Sequence, residues 1–167
     1  MKLRSLDINL VRNVLKGENR LMNKTKKITY SGIVIALYII IIYLTSSLSF
    51  GTIQIRVANI LYGLCFKMPF LVIPLSMGVI LSNLLFGGLG IVDIIGGTIT
   101  TLVTTYLISK CKKPIMIIPI MIFTVALGIS TYLHLLLNIP FSLLFIQIAL
   151  GQIIPSILSY LMVKRIK

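Results

Sequence analysis

Six apolar runs, over residues 28–49, 57–66, 70–86, 91–108, 115–137 and 141–163, are separated by segments of only a few residues. A helix climbs about 1.5 Å per residue, so roughly 20 apolar residues cross the hydrocarbon of a bilayer. In lipid each backbone N–H and C=O has to be satisfied within the protein, and a helix does this within its own segment. The chain is therefore expected to be an all-α membrane protein, a compact bundle of six transmembrane helices. The second run is the shortest and leads into Lys67 and Pro69. It is expected either to tilt or to continue past them as a kinked helix, with Lys67 snorkelling to the headgroups.

The basic residues fix a direction for this bundle. Fifteen of the 16 Lys and Arg fall on one side when the runs alternate across the membrane. Eight precede the first run, Lys67 follows the second, Lys110, Lys112 and Lys113 follow the fourth, and Lys164, Arg165 and Lys167 follow the sixth; Arg56 stands alone opposite. Lys and Arg flanking a span are retained in the cytoplasm during insertion, so both termini are expected to be cytoplasmic. The same pattern supports the count, because removing one span would scatter the later clusters. A formal charge of +13 could suggest nucleic acid as a partner, but the charges flank apolar runs instead of forming a stripe with aromatics. Anionic membrane lipid is the expected partner, and nucleic acid is not. Cys65 and Cys111 lack CxxC spacing, and this topology turns both toward the reducing cytoplasm, so free thiols are expected.

Residues 1–27 form a separate basic segment without the apolar stretch of a signal peptide. Two readings of it stand side by side. In one it is a cytoplasmic arm or a short amphipathic helix on the membrane surface, with Leu6, Ile8, Leu10, Val11, Val14 and Leu15 as its apolar content. In the other, Lys16-Gly17-Glu18 reflects a purine-rich ribosome-binding sequence and translation starts at Met22, so that residues 1–21 are not translated. In either case residues 28–167 are expected to form the six-helix transmembrane domain.

Polar side chains inside a bilayer are costly and are functional candidates by default. In the alternating topology Asn59, Asn83 and Asp93 lie near the outer ends of spans two, three and four, with Thr98 and Thr101 deeper along span four. Thr131, Tyr132 and His134 lie near the outer end of span five. Gln147 and Gln152 descend from the outer face of span six, the latter to roughly 16 Å by helical rise. Arg56 closes the outer loop between spans one and two. The inner half reads as Ile, Leu, Val and Met. This distribution implies an outward-facing polar pocket, closed below, and not a continuous pore. One guanidinium, one carboxylate, one imidazole and several amides and hydroxyls suit a planar small molecule that both donates and accepts hydrogen bonds. One His and one outer carboxylate are too few for a metal site. No Ser-His-Asp spacing, paired carboxylates or GxxxxGK[ST] loop is present, so no catalytic residue, cofactor or intrinsic ATPase is expected. Plainer roles stay open: Arg56 as a headgroup anchor, Asp93 as a helix cap, His134 as an interfacial side chain, the Thr hydroxyls bonded to their own helix, and the Gln side chains in interhelical contacts.

Small residues recur four apart at Gly32/Ala36, Gly78/Ser82 and Gly97/Thr101. Such pairs let helices approach closely in lipid, where dispersion replaces the hydrophobic effect. Interior packing accounts for most of them. The pair in span one sits at the cytoplasmic end of a uniformly bulky helix and is the better candidate for contact with a partner.

Together these residues resemble a family. Six short helices, an outward polar pocket and the small pair in span one resemble the substrate-binding S component of energy-coupling factor (ECF) transporters. The stretch Ser49-Phe50-Gly51-Thr52-Ile53-Gln54-Ile55-Arg56-Val57 is similar to the first outer loop of the QueT family, proposed carriers of queuosine precursors. Leu81-Ser82-Asn83-Leu84, Gly87-Gly88-Leu89-Gly90 with Asp93, Gly97 and Thr101, and Ala149-Leu150-Gly151 are similar to its other signatures. The resemblance runs from about Ile28 to the C-terminus. It implies a non-enzymatic, multi-pass protein of a bacterial plasma membrane, partnered by a transmembrane coupling subunit and two ATPase subunits, with docking at Gly32 and Ala36. It implies capture of a 7-deazaguanine-type ligand by Arg56, Asn59, Asn83, Asp93, Thr98, Thr101, His134, Gln147 and Gln152, with the first outer loop as a lid. Where the family commonly carries acidic residues this chain has Asn59 and Gln152, which implies a less cationic ligand. An S component for another vitamin or nucleobase, and a membrane enzyme or assembly factor, are the alternatives.

Overall fold

The computed structural model describes residues 23–46, 55–87 and 90–166. Among these the chain is helical apart from short connections, with no strand. Helix α1 spans Lys24–Leu44. A 3₁₀ helix over Val57–Gly63 continues into the single α-turn α2, Leu64–Lys67. A 3₁₀ turn over Pro69–Leu71 leads into α3, Val72–Phe86. Helix α4 spans Ile91–Lys110, and a 3₁₀ turn at Pro114–Met116 precedes α5, Ile117–Leu137. Helix α6, Phe141–Arg165, closes the chain. Each element coincides with one of the six apolar runs, and five are long and apolar enough to cross a membrane.

The exception is the second run. Its apolar helix, Val57–Lys67, falls short of a spanning length, and most of it is 3₁₀. Met68, at φ −124° and ψ 77°, interrupts the helix just before Pro69, as the residue before a proline disfavours the α region. The expected continuation past Lys67 therefore ends in a break, and the chain turns back into α3. The short segment is also among the most buried: Ala58, Asn59, Leu61, Tyr62, Gly63 and Cys65 are all inside.

Its position explains this. Helices α1, α3, α4, α5 and α6 pack in sequence as neighbours (α1 on α3, α3 on α4, α4 on α5, α5 on α6), and the segment 57–67 lies against α1, α3, α4 and α6. It thus completes the interior of an arc of longer helices. Close approach to α6 depends on Gly63, where a Cβ would meet the Ser159 hydroxyl at 2.4 Å and its carbonyl at 2.9 Å. Gly78 of α3 similarly makes room for Tyr38 of α1, whose ring a Cβ would meet at 3.3 Å.

Both ends of the bundle are legible in the side chains. Lys67 donates to the Ile166 carbonyl, and Lys27 stands 5.9 Å from the Phe70 ring centroid. The ends of α1, α2 and α6 that carry basic residues are thereby gathered together, and Arg56 lies at the other end. Cys65 is buried and Cys111 half-buried, both free; partial burial pushes the Cys111 thiol up. The interior differs from the sequence reading in one respect. Buried hydroxyls continue below the polar cluster, at Ser76, Thr104, Thr105, Ser156 and Ser159. All but Ser159, whose hydroxyl has no hydrogen-bond partner among the described residues, bond carbonyls of their own helix, as Thr104 does to Thr100 (2.7 Å) and Thr105 to Thr101 (2.7 Å). This makes them compatible with an apolar surround. The N-terminal segment and the greater part of the first outer loop lie outside the described residues.

Candidate functional site

Asp93 is buried in the first turn of α4, where the helix dipole favours an anion. It does not cap the helix: Gly90 occupies the N-cap with φ 76° and no side-chain bond closes it. The carboxylate is turned to other elements instead. Its Oδ1 accepts a hydrogen bond from the Tyr132 hydroxyl of α5 at 2.7 Å and pairs with Arg56 Nη2 at 3.7 Å. Its backbone carbonyl accepts from Asn83 Nδ2 of α3 at 3.2 Å. Gly97, one turn further along α4, leaves room for this arrangement, since a Cβ there would lie 3.0 Å from Asn83 Nδ2 and 3.8 Å from Arg56 Nη1. Arg56 precedes the 3₁₀ segment and is only 3% exposed.

A second, uncharged group adjoins the first. The Tyr38 hydroxyl of α1 donates to Asn59 Oδ1 at 3.3 Å, and Asn59 Nδ2 donates to Gln152 Oε1 of α6 at 3.0 Å. Tyr62 shares a hydrogen bond of 2.7 Å with Thr101 of α4, and its ring lies parallel to that of Tyr38 with centroids 6.3 Å apart. Tyr38 also faces the Arg56 guanidinium, which joins the two groups. Two buried polar atoms of this cluster have no hydrogen-bond partner among the described residues: Asp93 Oδ2 and Gln152 Nε2. Buried polar atoms are normally paired, and one left unpaired costs about 1–3 kcal/mol. An acceptor and a donor held open in one cluster are what a hydrogen-bonding ligand would use.

A profile of the QueT transporter family matches residues 28–167. The chain belongs to that family. It is a transporter and not an enzyme, and a multi-pass protein of the plasma membrane. No curated protein and no solved structure matches the chain.

Among the nine residues proposed from sequence, the fold brings six together: Arg56, Asn59, Asn83, Asp93, Thr101 and Gln152, all buried. The other three stand apart. His134 is exposed, and its Nδ1 lies 2.7 Å from the Ile139 carbonyl in the turn between α5 and α6. Gln147 is exposed on α6, on a different face from Gln152. Thr98 is half-buried and donates to its own helix at Ile94 (2.6 Å). Helical phase is the physical reason: depth along a span says nothing about which face a residue occupies.

The fold adds Tyr38, Tyr62 and Tyr132, which the sequence reading did not count as site residues. One signal was available for Tyr38. Tyrosines in membrane helices favour the two interfaces, so one well inside a run of Ile, Leu and Val points to a polar partner in the interior. Among the described residues no three His, Cys, Asp or Glu side chains stand close enough to share a metal ion.

Proposed function

We propose that this transporter is the substrate-specific S subunit of an ECF importer, binding a 7-deazaguanine-type queuosine precursor in the cluster formed by Arg56, Asn59, Asp93 and Gln152 with Tyr38, Tyr62 and Tyr132. The observation that carries this is the unmet pair, Asp93 Oδ2 and Gln152 Nε2, in a buried cluster to which five of the six helical segments contribute. A planar heterocycle with donor and acceptor edges would satisfy both atoms at once. Asn83 braces the site through the Asp93 backbone. With Asn59 and Gln152 bonded to each other, the pocket carries no net charge beyond the Arg56–Asp93 pair, which suits a neutral ligand better than an ammonium.

Delivery inward is assigned to a transmembrane coupling subunit and two ATPase subunits. Gly32 and Ala36 support a docking face on α1: both are exposed, and a Cβ at Gly32 would meet nothing within 4 Å. In the orientation that follows from the basic residues, the end bearing Lys67, Lys110 and Arg165 is cytoplasmic and the site lies toward the outside. Native mass spectrometry of the purified protein tests the ligand: a co-purified deazapurine is expected, and an unrelated vitamin would overturn the assignment. Cysteine labelling in intact cells tests orientation. An impermeant reagent should modify a cysteine at Asn138 and spare one at Lys112, and the reverse pattern would invert the topology.

A further inference from the structure

The face that α4 turns to α5 is interlocked turn by turn. At Gly96 the Tyr132 ring of α5 lies against the backbone, where a Cβ would stand 2.5 Å from its Cδ1 and 2.7 Å from its Cγ. One turn on, the knob comes from the other side. Thr100 of α4 presses into Gly128 of α5, where a Cβ would meet its Oγ1 at 2.4 Å and its Cγ2 at 2.7 Å. A further turn on, the Thr104 and Thr124 hydroxyls share a hydrogen bond of 2.8 Å.

The three pairs keep one antiparallel register, because each step of four residues along α4 is a step of four back along α5. Knob and notch change sides between successive turns, so neither helix can slide along the other without lifting a side chain out. The contacts have little room to yield. Those at Gly96 include the Cγ at which the Tyr132 ring is attached, so a turn of the ring about its axis does not clear them. Thr100 is held by its own bond to the Gly96 carbonyl at 2.8 Å.

This register matters because of where Tyr132 ends. Asp93 lies three residues before Gly96, on the same face of α4. With its ring seated on Gly96, Tyr132 places its hydroxyl on Asp93 Oδ1 at 2.7 Å. That bond and Arg56 engage Oδ1, and Oδ2 is the oxygen left unmet among the described residues. We propose that Gly96 and Gly128 are positioning residues for the site: they fix the register that holds Tyr132 on Asp93, and so decide which carboxylate oxygen is left for the ligand. This rests on the cluster being the substrate site.

A double-mutant cycle with Tyr132→Phe tests it, read by isothermal titration of 7-deazaguanine into the full-length protein in detergent. Tyr132→Phe keeps the ring and the Arg56–Asp93 pair and removes only the hydroxyl. It should weaken binding about tenfold, the worth of one charge-assisted hydrogen bond. Gly96→Ala should weaken it by a similar factor, by lifting the ring and its hydroxyl off Asp93. In the Tyr132→Phe background Gly96→Ala should cost less than about twofold, since the bond it would break is already absent. A purely structural clash would cost the same in both backgrounds, because the ring is present in both. Thr100→Ala empties the opposite notch without adding an atom, which keeps the claim testable if Gly96→Ala fails to fold. It should cost about threefold, again only where the Tyr132 hydroxyl is present. Equal losses in both backgrounds, or undiminished binding by the variants that fold, overturn the inference and leave the substrate site standing. No binding of 7-deazaguanine by the wild type overturns the substrate assignment and the inference with it.

Discussion

Arg56, Asp93 and Tyr132 on one side of the cluster, and Tyr38, Asn59 and Gln152 on the other, are mostly buried to a similar degree but satisfied in opposite ways. The first group balances a cation against an anion, and each needs the other. The second passes neutral hydrogen bonds from one side chain to the next. Burial alone does not distinguish them. Their chemistry predicts different consequences: the charged half ties the segment 57–67 to α4 and α5, and its failure is a failure of folding. The neutral half joins α1, segment 57–67 and α6, and its failure is chiefly one of recognition.

The sharpest way to break this contrast is to remove Asp93. Asp93→Ala leaves the Arg56 guanidinium buried without its carboxylate, and losing one partner of a buried ion pair costs about 3–5 kcal/mol. Unfolding in detergent should register that loss, and Arg56→Met combined with Asp93→Leu should recover much of it. Gln152→Ala removes neutral bonds and should cost about 1–3 kcal/mol at most. Equal destabilisation by Asp93→Ala and Gln152→Ala would erase the distinction between the halves.

The neutral half is tested by affinity. Gln152→Ala should weaken binding of a deazaguanine by about one to two orders of magnitude, the equivalent of one buried bond left unmet. Restoring charge should redirect selectivity. Asn59→Glu with Gln152→Glu is expected to favour an aminomethyl-bearing deazaguanine over a neutral one, because a carboxylate would then meet an ammonium. Calorimetry with both compounds decides it, and an unchanged preference would remove Asn59 and Gln152 from the ligand contacts.

Outside the cluster, the same contrast separates two small-residue pairs of identical spacing. Gly78 of α3 is packed against Tyr38, whereas Gly32 of α1 is open and Ala36 exposed. Ala36→Leu should therefore impair assembly with the proposed coupling subunit by affinity pull-down and leave ligand binding by the isolated protein within about twofold, since isolated exposed substitutions cost little. Parallel loss of both would place this pair in the interior.

How far the sequence disclosed this molecule follows from what periodicity and hydropathy measure. Run length located all six elements, because a bilayer imposes a minimum apolar length. It could not show that residues 57–63 are 3₁₀ or that the segment 57–67 packs inside the arc, since a short apolar run reads alike whether it crosses a membrane or lies within a protein. Arg56, Asp93, Asn59 and Gln152 were legible because polar groups in apolar runs demand partners. Which partners they find was not: the Tyr132–Asp93 bond joins residues 39 positions apart, and Asn59 and Gln152 are separated by 93. Tyr38 and Tyr62 contribute more aromatic surface than polarity, so a search for polar residues passed over them.

His134 and Gln147 provide the smallest expected effect and the control for the whole comparison. Both resemble site residues by depth, as Gln152 does, yet both are exposed. His134 meets only the backbone of the following turn among the described residues, and Gln147 lies five residues before Gln152, about 140° around α6 at 100° per residue. An exposed side chain away from buried partners typically changes stability by less than about 0.5 kcal/mol when truncated. His134→Ala and Gln147→Ala should therefore each leave deazaguanine affinity within about twofold of wild type by the same calorimetry. A tenfold loss in either would mean that the ligand reaches beyond the buried cluster to the rim of α5 and α6, and that depth was a better guide to the site than facing.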